Sequence, residues 1–579
     1  MPPLARHILI AGAAGLLLSG SVVGPATAAE SSASATTSAL ERKRVDSVKT
    51  PTLGWYKCFD TAECATTRLP LDYDNPKGGT TEIAILRIKA KDQKHKIGSL
   101  FLNPGGPGGS GTDIARAAPS FLSDSLLQHF DIVGIDPRGI AASTNVRCWS
   151  SVKDQTAVLQ DMNVAFPWGT TEEAKYVNAA KKFGKACSST GKPLTGAMST
   201  AEVVRDMDVL RRAVGDKKLT YLGFSYGTAI GQYYANMFPD RFRAIVVDGV
   251  LDPEHWVGTK KTANQEQDER LRSADGAYRA LQEILQRCDK AGPKYCVFSD
   301  GDPAARFATI ADALRKKPLV IKDDSGTYTI TYADFIGGVL GSLYGTDAGD
   351  GVTQTAQQVW DLLYPPSPAV ADAAKTQLIK RIRDMRGKAS RDFPYANDTE
   401  AFSGVLCTDA LHPADASQWP ALMAKADKRA PYFGRAWGWS SAPCARNTWT
   451  VRDEDAYTGP WTTRTAAPVL VVGAKWDPAT NYDDAVSAAK RLPNSQLLSN
   501  TNWGHTSYGT SDCATNAIDT YLLNAILPAK GALCEGKYQP FTTPLPTDPG
   551  AASLRAAPVQ PVRPPVAAPL PISVLNGNR

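Results

Sequence analysis

The chain has 579 residues, 43% of them hydrophobic and 21% charged, with a formal net charge of +6. That length exceeds one compact core and implies two domains plus tails. A charge so small and dispersed argues against a nucleic-acid partner, and no internal apolar run is long enough to span a bilayer.

At the start, Arg6 and His7 precede the apolar stretch Ile8 to Val23, and Ala26-Thr27-Ala28 then offers a small-x-small cleavage site. Residues 1–28 therefore read as an export signal, with a secreted, extracellular product that keeps no integral membrane span. Residues 29–50 are rich in Ser, Ala and Thr and turn basic around Glu41-Arg42-Lys43-Arg44. They read as a propeptide or disordered spacer with no face to bury. From residue 51 onward strands alternate with helices. Thr81 to Ile88 has period two, whereas Gly98 to Asn103, Phe130 to Asp136, Ala244 to Asp248 and Pro468 to Gly473 are continuous apolar runs. Continuous runs suit parallel strands buried on both faces, so residues 51–252 and 460–539 read as the two parts of one α/β sheet with helices on both sides. Residues 253–459 interrupt it with helical patterns at Glu269 to Cys288 and Ala371 to Arg386, and a weak strand signal near Thr327 to Ile330. An insertion at that point is expected to cap the carboxyl ends of the strands, where ligands bind in such sheets. Residues 540–579 are rich in Pro and Ala and read as an extended tail.

Ten cysteines in an exported chain point to disulfides, and no C-x-x-C pair suggests a zinc site. Sequence neighbours close at low entropy cost, so the expected pairs are Cys58–Cys64, Cys148–Cys187, Cys288–Cys296, Cys407–Cys444 and Cys513–Cys534.

The chemistry is concentrated in Gly223-Phe224-Ser225-Tyr226-Gly227, between the strand-like Lys218 to Leu222 and the helix-like Thr228 to Ala235. A serine in such a strand-to-helix turn is a nucleophile elbow, with its hydroxyl exposed and the new helix presenting N–H groups to an oxyanion. Serine needs a base, and the base needs a carboxylate to fix its tautomer. Of six histidines, His7, His95 and His129 come too early for the Ser, acid, His order of such hydrolases, and His255 and His412 fall in the insertion. His505, in Asn502-Trp503-Gly504-His505-Thr506, remains. Asp477 follows a late strand and is the expected acid, with Asp248 as runner-up. The loop Asn103-Pro104-Gly105-Gly106-Pro107-Gly108-Gly109-Ser110-Gly111 supplies bare backbone N–H groups, and Gly106 with Tyr226 is the expected oxyanion hole. The loop lacks the Lys-Ser/Thr ending of a phosphate-binding P-loop. No metal or organic cofactor is needed for this chemistry.

Asn103 to Gly111, Asp136-Pro137-Arg138-Gly139, Gly223 to Thr228, Val247-Asp248-Gly249-Val250 and Cys407-Thr408-Asp409 occur together here. From about Leu53 to Cys534 that set resembles the secreted bacterial tripeptidyl aminopeptidases, relatives of the proline iminopeptidases. The resemblance implies an α/β-hydrolase fold with a large, mainly helical cap, and a serine exopeptidase that takes short peptides from free N-termini. Ser225, Asp477 and His505 occupy the matching triad positions. The same family includes esterases and N-acyl hydrolases, which leaves a carboxylesterase or N-acyl amidase as the rival reading, with peptides or small amides and esters as substrates and a monomer as the expected state. A free α-amine calls for carboxylates at the cap, for which Glu266, Asp268, Glu269 and Asp409 are available. Trp437 and Trp439 are candidates to line an apolar pocket.

Overall fold

A computed structural model describes residues 34–323, 326–386 and 396–546. The expected export signal and most of the Pro/Ala-rich tail lie outside the described residues. Twelve strands are β1 Tyr56–Cys58, β2 Ala62–Pro70, β3 Thr80–Ile88, β4 Gly98–Asn103, β5 Phe130–Ile135, β6 Leu219–Phe224, β7 Phe242–Asp248, β8 Leu319–Asp323, β9 Gly326–Ile330, β10 Val469–Trp476, β11 Ser495–Trp503 and β12 Leu533–Cys534. Ten form one sheet in the order β1-β2-β3-β5-β4-β6-β7-β10-β11-β12, and β8 pairs with β9 in a separate hairpin inside the cap. Pairing is antiparallel from β1 to β5 and parallel from there on. The register places Asn103 beside Gly223, Phe224 beside Asp248 and Asp248 beside Val472.

The continuous apolar runs have the expected cause. Val469 and Val471 pack into one core with Tyr221, Ile245 and Val247, while Leu470 and Val472 pack into the opposite core with Leu222, Ala244 and Val246. Both faces of the central strands are buried, so their middles are continuous apolar runs. A third core lies within the cap, around Trp419, Phe433, Trp439 and Leu281. All five disulfides join the expected neighbours.

Three expectations need correction. Residues 34–50 are no solvated spacer: Ala39–Asp46 is a helix whose Val45 is fully buried. Two of its charges, Glu41 and Arg44, are buried too, because Arg44 pairs with Glu41 and Asp74, while Arg205 grips Glu41 and Asp455. Those partners are remote in sequence, so the segment's composition alone resembled that of a free linker. The helical pattern from Glu269 to Cys288 is two helices, Gln267–Leu271 and Ser273–Ala291, broken at Arg272 with φ 60°. Nor is the cap confined to 253–459. The helix Thr170–Ser189 sends Tyr176 against Trp439, Phe541 of the presumed tail packs in the cap core, and Trp449 packs with the sheet layer.

Candidate active site

Strands β4, β6, β7, β10 and β11 run parallel, so the loops that follow them meet along one edge. Ser225 follows β6 and has φ 56°, a left-handed backbone that a non-glycine residue adopts only under constraint. The constraint is visible: its N–H donates to the Asp248 carbonyl at 3.0 Å, and the N–H and hydroxyl of Thr228 both donate to the Ser225 carbonyl. Gly223 and Gly227 are required by closeness, since a Cβ on Gly223 would lie 2.4 Å from the Gly227 carbonyl oxygen.

Asp477 and His505 meet behind the elbow. His505 Nδ1 lies 2.9 and 3.0 Å from the two oxygens of Asp477. The carboxylate also accepts from the N–H groups of Ala479 and Thr480 and the Thr480 hydroxyl. Burial opposes ionisation of Asp477, but the His505 ring and these donors outweigh it and hold the carboxyl below its usual range. Ser225, Asp477 and His505 are 7%, 1% and 3% exposed, so the cap covers them.

The glycine loop after β4 reaches the elbow from the other side. A Cβ on Gly105 would lie 2.5 Å from the Phe224 carbonyl oxygen and 2.8 Å from the Tyr226 nitrogen, which leaves glycine as the residue that fits. Asn103 Oδ1 accepts the Gly105 N–H at 2.9 Å, and Asp136 holds the loop's far end through Ser110 and Thr112. The Gly106 peptide is thus set beside the turn that carries the Tyr226 N–H. Arg138, fully buried, ties this region to the helix Thr200–Ala213 through Glu202 and Asp206.

Two scans of known families match the chain: one described as alpha/beta hydrolase fold over residues 98–282, the other as TAP-like protein over residues 430–534. A tripeptidyl aminopeptidase of Streptomyces lividans is 30% identical over 501 residues, covering 84% of this chain and 85% of that protein. Serine protease Hip1 of Mycobacterium bovis is 31% identical over 493 residues, covering 82% and 87%. A protein of Mycobacterium tuberculosis named carboxylesterase B is 30% identical over 503 residues, covering 84% and 91%. The chain belongs to the tripeptidyl aminopeptidase-like family of α/β-hydrolases. It is a serine hydrolase.

The two histidines of the insertion have partners or surroundings of their own. His255 pairs with Asp484 at 2.8 Å, and burial pushes the ring of His412 down to about 3, so it stays neutral. The carboxylate of the runner-up acid, Asp248, accepts from the N–H groups of Ser507 and Tyr508.

The six substrate candidates are held in different ways, and Asp268 is taken by Arg429. Asp409 is framework, its carboxylate taken by the Thr200 N–H, the Thr200 hydroxyl and Trp256 Nε1. Burial pushes it up to about 6. The same Thr200 hydroxyl meets the Tyr226 phenol at 2.5 Å, so Asp409 buttresses Tyr226 through Thr200. Glu269 pairs with Lys425. Glu266 is different: it is buried beside Gly438, one oxygen accepts the Asp268 N–H, and Oε1 has no hydrogen-bond partner among the described residues. Burial and the adjacent Asp268 raise its pKa. Gly438 separates Trp437 from Trp439, and the indole nitrogens of both are likewise unpartnered. Trp439 is buried against Tyr176, and Trp437 is half-buried.

Two contributors were not anticipated. Thr480 adds a hydroxyl to Asp477. Tyr344, in the turn after the cap helix Tyr332–Leu343, accepts the His505 N–H on its carbonyl at 3.1 Å and sets its ring edge-on to the imidazole at 5.2 Å. Nothing local in its sequence marks it. Glu202, Asp453 and Asp455 could together hold a cation, but Arg205 Nη1 already lies 2.7 Å from both Glu202 and Asp455.

Proposed function

We propose that this protein is an exported serine exopeptidase that releases short peptides, tripeptides in particular, from free N-termini. The observation that carries the reading is the His505–Asp477 pair at 2.9 Å on the same sheet edge as a serine held at positive φ. In this mechanism Ser225 Oγ attacks the amide carbon and His505 Nε2 takes its proton. Asp477 keeps Nδ1 protonated and stabilises the imidazolium. The N–H groups of Gly106 and Tyr226 receive the developing oxyanion. The C–N bond breaks as His505 returns the proton to the leaving amine. Water, deprotonated by His505, then hydrolyses the acyl-enzyme and frees Ser225. Recognition of the free amine falls to Glu266 in the cap, whose unpartnered oxygen would ionise against an ammonium group.

A relative named carboxylesterase B, at the same level of identity, supports a second reading as an esterase or N-acyl amidase with the same triad. One comparison separates them: a tripeptide anilide with a free amine, its N-acetylated twin and a short-chain nitrophenyl ester, each with the purified protein and with Ser225→Ala. Cleavage of the free peptide alone supports the exopeptidase; preference for the blocked peptide or the ester refutes it. Activity retained in Ser225→Ala refutes both.

A further inference from the structure

Asp248 ends β7, the strand between the one that delivers Ser225 and the one that delivers Asp477. It is fully buried, and both ends of the residue are occupied by active-site loops. Its carbonyl oxygen accepts the Ser225 N–H at 3.0 Å. Its carboxylate accepts the Ser507 N–H at 2.9 Å and the Tyr508 N–H at 2.8 Å. These donors come just after the histidine, in a stretch that needs holding: Gly504 and Thr506, on either side of His505, have φ 89° and 70°. For Thr506, branched at Cβ, that backbone costs on the order of 1–3 kcal/mol and persists only when neighbours over-determine it. Gly249, with φ 72°, brings the strand end close to the ring, since a Cβ there would lie 3.2 Å from His505 Cε1. The charged groups that face the Asp248 carboxylate are His505 and Asp477.

We infer that Asp248 is a positioning residue of the hydrolytic site: it locks the nucleophile's turn and the histidine's loop into one frame. This rests on Ser225 and His505 being nucleophile and base. Burial pushes the Asp248 carboxyl up to about 6 against the two N–H groups, so its ionisation falls within the range where such an enzyme is assayed.

The test uses the full exported chain carrying Asp248→Asn, with Asp248→Ser as a second variant that keeps one acceptor and leaves room for water. Each is compared with wild type and Ser225→Ala for kcat, KM, the pH profile of kcat/KM, the rate of fluorophosphonate labelling and Tm. A misplaced base is expected to lower kcat and labelling by about 10- to 100-fold. KM should move far less. The acid limb of the pH profile should change shape, because a carboxyl that titrates at about 6 within the site is gone. A folded variant with wild-type kcat and an unchanged acid limb overturns the inference while leaving the triad standing. Failure of both variants to fold also overturns it, since the residue then serves the fold alone. Labelling that survives in Ser225→Ala would instead sink the triad reading beneath it.

Discussion

The buried carboxylates of the sheet edge and Glu266 of the cap are held in opposite ways. At the edge, Asp136, Asp248 and Asp477 each accept several N–H or O–H groups. In the cap, Glu266 Oε1 and the indole nitrogens of Trp437 and Trp439 lack partners. Buried polar groups in native proteins are nearly always satisfied, so exceptions call for a reason. A preorganised edge suits chemistry, where donors must already be in place as charge develops. Unsatisfied groups in a covering layer suit recognition, where the substrate supplies the missing partners.

The contrast can be broken most forcefully at the edge. Ser225→Ala should lower kcat/KM by about 10⁶-fold, with labelling abolished and Tm little changed. Asp477→Asn should cost about 10⁴-fold in kcat by presenting His505 in the wrong tautomer, read from steady-state kinetics. In the cap the signature should differ in kind. Glu266→Gln removes one charged contact, and KM for a free-amine tripeptide should rise about 10- to 100-fold with kcat nearly unchanged. The N-acetylated twin should be indifferent to that change; equal losses on both peptides would remove Glu266 from amine recognition.

The smallest effects lie in the pH dependence of stability, and they have opposite signs in the two regions. The Asp477 carboxyl is held below its unfolded value, so its contribution is present above the ordinary carboxylate range and is lost as pH falls through the folded value. Glu266 is raised, so its contribution is full below the unfolded carboxyl range and is lost as pH rises through the folded value. Thermal melts should therefore show Asp477→Asn losing least, relative to wild type, in acid. They should show Glu266→Gln gaining relative to wild type as pH rises toward neutrality. The same sign for both variants would contradict the assignment.

Legibility followed the same division. The central strands were readable because burial on both faces leaves unbroken apolar runs such as Val469 to Val472, and the candidates proposed as the triad stood out because elbow, acid and histidine each sit beside a strand signal. Neighbouring cysteines gave the disulfides for the reason that short loops close easily. What stayed hidden depends on partners distant in the chain. Arg44 looked solvated because its partners Asp74 and Asp455 lie far along the sequence. Asp409 looked available because Thr200 and Trp256, which occupy it, come from two other elements. Tyr344 gave no signal, since its role comes from one turn of the cap touching the loop of His505.

The central claim is that the edge cuts and the cap admits only chains with a free amine. Incubating the purified enzyme with a free-amine decapeptide and its N-acetylated copy, and following the products by mass spectrometry, tests it most directly. The account predicts release of the N-terminal tripeptide from the first peptide and no cleavage of the second. Equal cleavage of both, or cleavage of neither by a protein that hydrolyses simple esters, would contradict it.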